Sequence, residues 1–509
     1  MASRNGIRVV PTKIKDNETP AFAGDYVLDK VVLINHTGQK IDIKFIMTEL
    51  NIYESIYNNA VTGSIVIGDT KNQISRMEIQ GLERIAFHLK TPGITYRKED
   101  VIDASEETGE PFHVYKITDR KQANTGLIAY TLHFASREFM RNLRTKVSQA
   151  YDGKCDRAVI DIMKDENYLD SRKKIHVEPT GNSLKFVVPN LNPFDAINMI
   201  ANKSLPEKSK GAGYFFYETT GGYYFRSWQS MITNQGEFAR PYKQNFYSQP
   251  AKISDVAESR DEKTGAKQDK VLREYQTVEQ YQFINNFHDV AANTALGTYG
   301  HRVISHNLFD KSYDITDYNY HNEFGKTPHT DTLKYTTQYA IMNTPVDYDN
   351  KDNVSSYAES RVSLQTTSPF LHDKDVGRYG LDAAADGTNT GQKISQYNQI
   401  AHGTLLKLTV KGQSNLQAGD LIKFNLADTN ADNNNNTNPN DPRFSGHYVI
   451  TKVRHQVTGD SYKMTLECAK DSVATGYQEI SRGISLHTDV IHKTSQSFEL
   501  EEIDSDIGY

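Results

Sequence analysis

Alternating apolar residues in two well-separated parts of the chain constrain the fold more than any other feature. Towards the N-terminal end, Ile41, Ile43 and Phe45 alternate with charged residues, and a run at 85–89 repeats the pattern. A comparable series begins at 406–410, more than 300 residues later. An alternation of period two predicts a strand with one buried face and one wet face. Two separate β regions, and therefore more than one core, are expected in this chain of 509 residues.

Further strand-like runs accompany each series. They lie at 64–67, 112–117 and 127–134 in the first region and at 421–426, 448–453 and 462–468 in the second. Short strands at such spacings are typical of sandwiches and small barrels. Residues 25–150 are therefore predicted to form a first β-barrel domain, and residues 401–475 a second one.

Helical spacing replaces the alternation after the first β region. The runs 136–151 and 156–168 contain no proline and are predicted to be helices. A third helix is predicted at 193–203, because Pro193 can occupy its first position and Asn192 can cap it.

An aromatic hairpin is predicted at 214–228, after the third helix. Gly221 and Gly222 stand between its two strands, where a tight turn needs residues that tolerate positive φ. The helices and this hairpin together predict an α/β insertion domain at 151–235.

The remaining segments have weaker patterns. Residues 1–24 are predicted to be an N-terminal arm, residues 236–400 a connector and irregular region that contributes strands to the second barrel, and residues 476–509 an acidic C-terminal tail. The Asn-rich segment 428–442 cannot bury apolar surface and is predicted to project as a loop. The expected fold class is α+β and β-dominated, with two similar β-barrel domains and an α/β insertion between them.

Charge and cysteine content exclude several classes of protein. With 58 Lys and Arg against 64 Asp and Glu, the net charge of −6 argues against an overall basic footprint for nucleic acid or anionic membrane, although not against a local basic patch. The two cysteines are too few and too distant for a secreted disulfide framework. A signal peptide and a membrane anchor are not expected, because no long apolar segment is present.

No glycine-rich loop has the spacing that phosphate binding requires. The Gly-Lys-Thr run at 325–327 resembles the end of a Walker loop, but Tyr320 stands where the first glycine would be. Gly211 and Gly213 lack a third glycine, because Phe216 occupies its position. A turn is the favoured interpretation of both runs.

Histidine spacing does not match a zinc site. His301 and His306 are five residues apart, and His321 and His329 are eight apart, whereas two zinc ligands on one helix face are four apart. These histidines are interpreted as core or surface residues.

One segment reproduces part of a calcium loop. Asp428, Asn430 and Asp432 have the spacing of the first three oxygen ligands, but Asn433 and Pro439 replace the glycine and glutamate that bend and close such a loop. A projecting surface loop is the favoured interpretation.

Nucleophilic chemistry has no sequence signature in this chain. Cys155 and Cys468 have no recognisable nucleophile setting, and no G-x-S-x-G elbow occurs. The prediction is therefore a protein that is not an enzyme, with no catalytic, cofactor-binding or metal-binding residues and no cofactor.

Tyrosine is unusually frequent, with 30 residues beside 21 Phe and one Trp. The tyrosines of the hairpin at 214–228 are expected to pack in a core. Those at 313–357 lie in weakly periodic sequence and are predicted to face a partner, because a ring with a hydroxyl suits a surface that is wet before assembly and buried afterwards.

Several stretches together carry a resemblance to a known family. They are IDIKFIMTELNIYESIYNNAVTGSIVIGDTKN, KKIHVEPTGNSLKFVVPNLNPFDAINMIANKS, YFFYETTGGYYFRSW, LKLTVKGQSNLQAGDLIKFNLAD, DPRFSGHYVITKVRHQV and YKMTLECAKD. Their order and spacing resemble the central baseplate hub proteins of contractile-tailed bacteriophages, which are related to the spike-base proteins of type VI secretion systems.

The resemblance implies a structural virion protein. It implies a homotrimer in which each chain supplies two similar tail-tube-like β-barrels, so that six barrels meet a sixfold tail tube and a threefold central spike sits below. Tail tube protein, central spike protein and neighbouring baseplate proteins are the implied partners. Phage DNA passes only in transit, and the protein is placed in the virion tail baseplate after assembly in the host cytoplasm.

Two points remain open at this stage. The net charge of a trimer, −18, is compatible with an acidic bore but does not locate the charges. The alternative function is a carbohydrate-binding virion protein or adhesin that stacks sugars on the tyrosines of 313–357; a peptidoglycan hydrolase has less support.

Overall fold

The computed structural model describes most of the two β regions and the segment between them. The described residues are 20, 22–72, 76–92, 100–107, 110–124, 126–208, 211, 213–233, 245–248, 271, 273–285, 289–308, 311–331, 352–366, 371–373, 387–427, 440–441 and 443–473. Most of the N-terminal arm, the calcium-like segment at 428–432 and the acidic tail lie outside the described residues.

The first part of the chain is built from strands. They are β1 Val27–Ile34, β2 Lys40–Asp42, β3 Met47–Ser55, β4 Thr62–Asp69, β5 Arg84–Lys90, β6 Ile102–Asp103, β7 Phe112–Asn124 and β8 Leu127–Ala135. The alternation at 85–89 produces β5 as expected. The alternation at 41–45 does not continue as a strand: the chain turns after β2, and Phe45 is 90% exposed.

Helices and strands mix in the next part. The elements are α1 Arg137–Arg144, β9 Val147–Lys154, α2 Cys155–Lys164, β10 Ile175–Val177, β11 Ser183–Leu191, α3 Pro193–Ala201, β12 Tyr214–Thr219, β13 Gly222–Ser227 and α4 Trp228–Thr233. The helix predicted at 136–151 is wrong in its second half, because those residues pair with β11 as strand β9. The helix predicted at 193–203 is confirmed as α3.

The aromatic hairpin is confirmed in β12 and β13, with Thr219 paired to Gly222. Its turn is Thr220–Gly221 rather than two glycines with positive φ. Of the two glycines, only Gly222 has a positive φ, +127°. A Cβ on Gly222 would lie 2.4 Å from the carbonyl oxygen of Lys174. That close approach explains the need for glycine.

The last part of the chain contains a small separate sheet, followed by the strands of the second β region. Its elements are β14 Asn245–Tyr247, β15 Gln280–Asn285, α5 Val290–Ala295, β16 Gly300–Asn307, β17 Ser312–Asn319, α6 Tyr320–Phe324, two 3₁₀ turns at Val354–Ser356 and Ala358–Ser360, β18 Val362–Thr366, β19 Leu371–Asp373, α7 Gly387–His402, β20 Thr404–Lys411, β21 Leu421–Asn425, β22 Gly446–Thr458 and β23 Tyr462–Lys470. Strands β16, β17 and β18 form a separate sheet, whereas β14 pairs with β21 and β15 with β20.

One hydrophobic core spans both β regions. Its buried residues include Leu50 and Ile65 of the first region and Leu408 and Leu466 of the second. A second core lies between α2, α3, β11 and the aromatic hairpin. The fold is therefore β-dominated, with large antiparallel sheets that join the two ends of the chain.

Candidate assembly surface

Eight strands run without a break from one β region into the other. Their order is β15-β20-β23-β22-β3-β4-β8-β7, and every neighbouring pair is antiparallel. The join between the regions is the pair β22 and β3, in which Lys452–Thr458 lie opposite Glu49–Ser55. These eight strands belong to a sheet of fourteen, which continues beyond β7 through β5, β1 and β2.

Strand β22 makes this join possible because it is long enough to pair with two strands, one after the other, along the same edge. Its first residues pair with β21, from Gly446 to Val449, and its later residues pair with β3. On its other side it pairs with β23 along most of its length.

The two faces of the eight-stranded sheet differ sharply in chemistry. Residues directly opposite one another in an antiparallel sheet share a face. One row crosses all eight strands on the side away from the core and consists of Gln280, Thr409, Thr465, Arg454, Tyr53, Thr62, Ala135 and His113. We call this side the outer face; the side chains between its rows belong to the hydrophobic core.

The outer face is polar along its other rows as well. A second row crosses seven strands and consists of Lys411, Lys463, Gln456, Asn51, Ser64, His133 and Lys116. Such an arrangement suits a sheet with one face in a core and the other partly in water. Asn51, Ser64 and Ala135 are buried, so the outer face is not exposed along its whole width.

Within the described residues, the run is open along β15 at one end and along part of β7 at the other, where the sheet continues through β5, β1 and β2. Strand β15 has hydrogen-bonded neighbours only on the β20 side. Strand β7 pairs with β5 only through Phe112 and His113, so its residues 115–124 pair only with β8. An open strand edge offers unpaired N–H and C=O groups to another chain.

The edge strand β15 has one feature that opposes such pairing, a register shift between Phe283 and Asn285. Its sequence QYQFIN contains neither charge nor proline, and Tyr281 and Ile284 are each 43% exposed. Natural edges are usually protected by charges, prolines or bulges. β7, in contrast, has three register irregularities and several charged residues.

A charged cavity of about 480 Å³ separates the first β region from the aromatic hairpin. At its side Lys173 donates to Glu138 at 3.0 Å and to Glu218 at 2.5 Å, and both carboxylates are buried. Glu218 also accepts from the backbone N–H of Val61 at 2.8 Å, which ties the hairpin to the first region. Burial by itself would lower the pKa of Lys173, but Glu138 and Glu218 outweigh it and raise that pKa.

The Gly-Lys-Thr run lies in a turn, whereas Gly211 and Gly213 lie in irregular chain ahead of the hairpin. The Gly-Lys-Thr run at 325–327 follows α6, where Lys326 donates to Glu323 at 2.6 Å. A Cβ on Gly211 would meet the side chain of Gln229, so that glycine allows close packing.

The four histidines singled out by spacing lie in different surroundings. His301 is buried in β16, and its burial lowers its pKa to about 4. His321 lies 2.7 Å from the hydroxyl of Ser355, and His329 lies 2.9 Å from Asp471 and stacks on Phe324. Among the residues described, no group of three or more His, Cys, Asp or Glu could hold a metal ion.

The tyrosines of 313–357 divide into two kinds. Tyr318 and Tyr320 are buried with Tyr299 and Phe324 in a small core, so the prediction that this group faces a partner is wrong for them. Tyr313 is 70% exposed, and Tyr357 is partly exposed. The structure therefore offers no tyrosine cluster that favours sugar stacking in the described part of this segment.

Sequence reasoning missed the outer face. Its residues are the polar partners in the same alternation that identified the strands, but a polar residue facing any solvent gives the same local pattern. Only the strand order shows that they form one continuous surface.

Comparison with known proteins gives one clear match by sequence. No family model matches the chain. The chain is 21% identical over 436 residues to the probable baseplate hub protein gp334 of Vibrio phage KVP40, and the match covers 84% of this chain and 90% of that protein. The resemblance to phage baseplate hub proteins is confirmed.

Similar solved structures come from tail proteins and from a secretion system. A tail protein from Neisseria meningitidis MC58 has a TM-score of 0.44 at 9% identity, covering 88% of this chain and 97% of that one. The 43 kDa tail protein of prophage MuSo2 from Shewanella oneidensis has a TM-score of 0.46 at 9% identity, covering 88% and 100%. The type VI secretion component c3393 of E. coli has a TM-score of 0.38 at 8% identity, covering 85% and 75%.

In the part of the chain that the structure describes, no helix is long and apolar enough to cross a membrane.

Proposed function

We propose that this protein is a structural component of a phage tail baseplate and forms its central hub. The sequence match to a probable baseplate hub protein over 84% of the chain supports this role. The observation that supports the proposal is the antiparallel run of eight strands with one open edge at β15 and a partly open edge at β7, because a part that must close into a ring needs complementary ends.

The directions of the two edge strands suit ring closure. Directions alternate along the eight strands, so β15 and β7 point in opposite directions. When the β7 edge of one copy meets the β15 edge of the next, the new pair is antiparallel, like every other pair in the sheet. Alternation closes a ring of any number of copies; the resemblance to baseplate hubs suggests three, which would give 24 strands.

Each β region would then act as one tube-like barrel. In the second region, a bridge between Tyr247 and Thr277 and a hydrogen bond of 3.0 Å from Val278 N–H to the Tyr247 carbonyl bring β14 back to the start of β15. This return supports a barrel. A trimer would present six such barrels to a sixfold tube and three chains to a threefold spike.

The proposed partners follow from this position. They are two further copies of the chain, the tail tube protein, the central spike protein and neighbouring baseplate proteins, with phage DNA passing through during ejection. The proposed location is the virion tail baseplate, reached by assembly in the host cytoplasm. The role is structural and includes no catalytic step.

Imaging of the purified full-length protein tests the proposal. Negative-stain reconstruction is expected to show a ring with threefold symmetry and six similar lobes, and mass photometry a species of three chains. Mixing with tube protein and with spike protein should give complexes. A species that stays monomeric alone and with both proteins would contradict the hub role.

A further inference from the structure

The outer face carries an excess of positive charge, although the whole chain is negative. Its basic residues are Lys116, Lys121, Lys407, Lys411, Lys452, Arg454 and Lys463, and the carboxylates on it or at its border are Glu49, Asp119, Glu279 and Glu467. Seven basic residues against four carboxylates leave an excess of three positive charges, in a chain of net charge −6.

The carboxylates neutralise the basic residues in the middle of the sheet and beside β15. Arg454 lies 3.1 Å from Glu49, and Lys452 lies 2.7 Å from Glu467. Glu279 is shared, at 2.5 Å from Lys411 and 2.9 Å from Lys463. These pairs are exposed or half-buried, so they reduce the local field without removing it.

Three exposed lysines have no such partner. Within the described residues, no carboxylate lies within ion-pair distance of Lys116, Lys121 or Lys407. Lys116 and Lys121 lie on the open edge strand β7, and Lys407 lies on β20, next to the other edge. Partial burial, and then the nearby Lys116, lower the pKa of His133 on the same face, and together they outweigh the opposing effect of Asp119.

The positions of these lysines relate them to the proposed ring. If copies join through β7 and β15, then Lys116 and Lys121 of one copy lie about two strand spacings, or roughly 10 Å, from Lys407 of the next. Each seam would then carry a stripe of like charge that an anion must balance. Otherwise the face is polar, with little aromatic surface for stacking bases.

We propose that the outer face contacts the phosphate backbone of duplex DNA through Lys116, Lys121 and Lys407. This inference rests on the proposed hub function, in an arrangement where the barrel cores lie on the outside of the closed ring of strands and the outer face turns towards the bore. The acidic bore compatible with the net charge is not what this face would provide. Contacts to phosphate alone are weak, independent of sequence and sensitive to salt, which suits a wall along which DNA slides.

Fluorescence anisotropy with a labelled 30-base-pair duplex of arbitrary sequence tests the proposal. Binding is expected to weaken with NaCl, with a slope of log K against log[salt] of about −3 for one chain's three lysines and about −8 for all nine of a trimer. The triple variant K116Q/K121Q/K407Q should bind at least about tenfold more weakly and with a flatter slope. The charge-preserving K116R/K121R/K407R should bind like the unchanged protein.

The matched control is K30Q/K71Q/K164Q, which removes three exposed lysines away from the outer face and changes the net charge equally. Equal DNA binding by K116Q/K121Q/K407Q and K30Q/K71Q/K164Q would overturn the inference. Tighter binding of poly-glutamate than of DNA would also overturn it, because it would indicate an acidic protein partner. Mass photometry of the same samples separates the two proposals. A ring that ignores DNA contradicts only the inference, whereas a monomer that binds DNA through these lysines contradicts only the ring.

Discussion

Glu54 accepts a hydrogen bond of 3.0 Å from the backbone N–H of Ala418, a residue 364 positions away in the sequence. Its other carboxylate oxygen accepts one of 2.7 Å from Thr220 in the turn of the aromatic hairpin. Glu54 lies on β3, so one buried side chain joins the first β region, the hairpin and the second β region. Burial raises its pKa from 4.5 to about 7, although the two amide donors oppose the shift.

The stability conferred by this side chain is expected to depend on pH. A carboxyl group with a raised folded-state pKa stabilises the fold below its unfolded-state pKa, and that contribution is lost as the pH rises through the folded-state value. Between pH 4.5 and about pH 7 to 8, Glu54→Gln should therefore gain up to about 3 kcal/mol relative to the unchanged protein. Thermal melts of both proteins across this range measure the difference. The exposed Glu107→Gln serves as control, and a difference that does not change with pH would contradict the expectation.

Removing the cation beside the charged cavity should be costly. Lys173→Met leaves the buried carboxylates of Glu138 and Glu218 without their shared partner, which should destabilise the hairpin region by about 3–5 kcal/mol. Trp228, the one tryptophan of the chain, is buried directly after the hairpin, so its fluorescence during urea unfolding reports on this region. Lys185→Met is the control, because Lys185 and Asp152 form an exposed pair worth less than about 1 kcal/mol. Equal losses in the two variants would show that burial of the pair is not important.

Two asparagines near the start of α3 should differ in effect. The side chain of Asn142, on α1, accepts from Phe194 N–H at 2.8 Å, whereas Asn192 at the cap position makes no capping bond and its Oδ1 is buried without a partner. Asn142→Ala should therefore cost about 1–2 kcal/mol, as loss of a helix cap does, and Asn192→Ala less than about 0.5 kcal/mol. Trp228 fluorescence during urea unfolding measures both. A larger loss for Asn192→Ala would restore it as the capping residue.

A charge on the open edge should prevent the ring from closing. Ile284→Lys places an ammonium on β15, where a neighbouring strand would have to bury it, so the three-chain species should fall to monomers in mass photometry. Val187→Lys is the control, since Val187 is similarly exposed, at 44%, on a strand with partners on both sides. Its assembly should be unchanged. A persistent trimer in the Ile284 variant would exclude β15 from the contact between copies.

Local patterns predicted the elements that local physics controls. Leu406, Leu408 and Val410 are buried on β20 as their alternation indicates, and Pro193 begins α3. Strand β9 was missed because its conformation depends on pairing with β11 some thirty residues later, which overrides its helical spacing. The cap of α3 was misassigned for a similar reason, since Asn142 is brought to it by tertiary packing.

The candidate surface could not be predicted at all from the separate patterns. Lys116 and Lys407 each look like ordinary solvated lysines in sequence. They share one face only because β22 pairs with β3, a contact between segments about 400 residues apart.

The dual pairing of β22 also has a mechanical consequence. Pulling the two β regions apart within the plane of the sheet would load the whole Lys452–Thr458 ladder at once instead of opening it bond by bond. On the core side of the same strand pair, the hydrogen bond from Ala418 N–H to Glu54 is a second connection between the two regions. The two halves of the chain should therefore transmit force as one stiff body, so that in the proposed ring mechanical strain would fall on the contacts between chains.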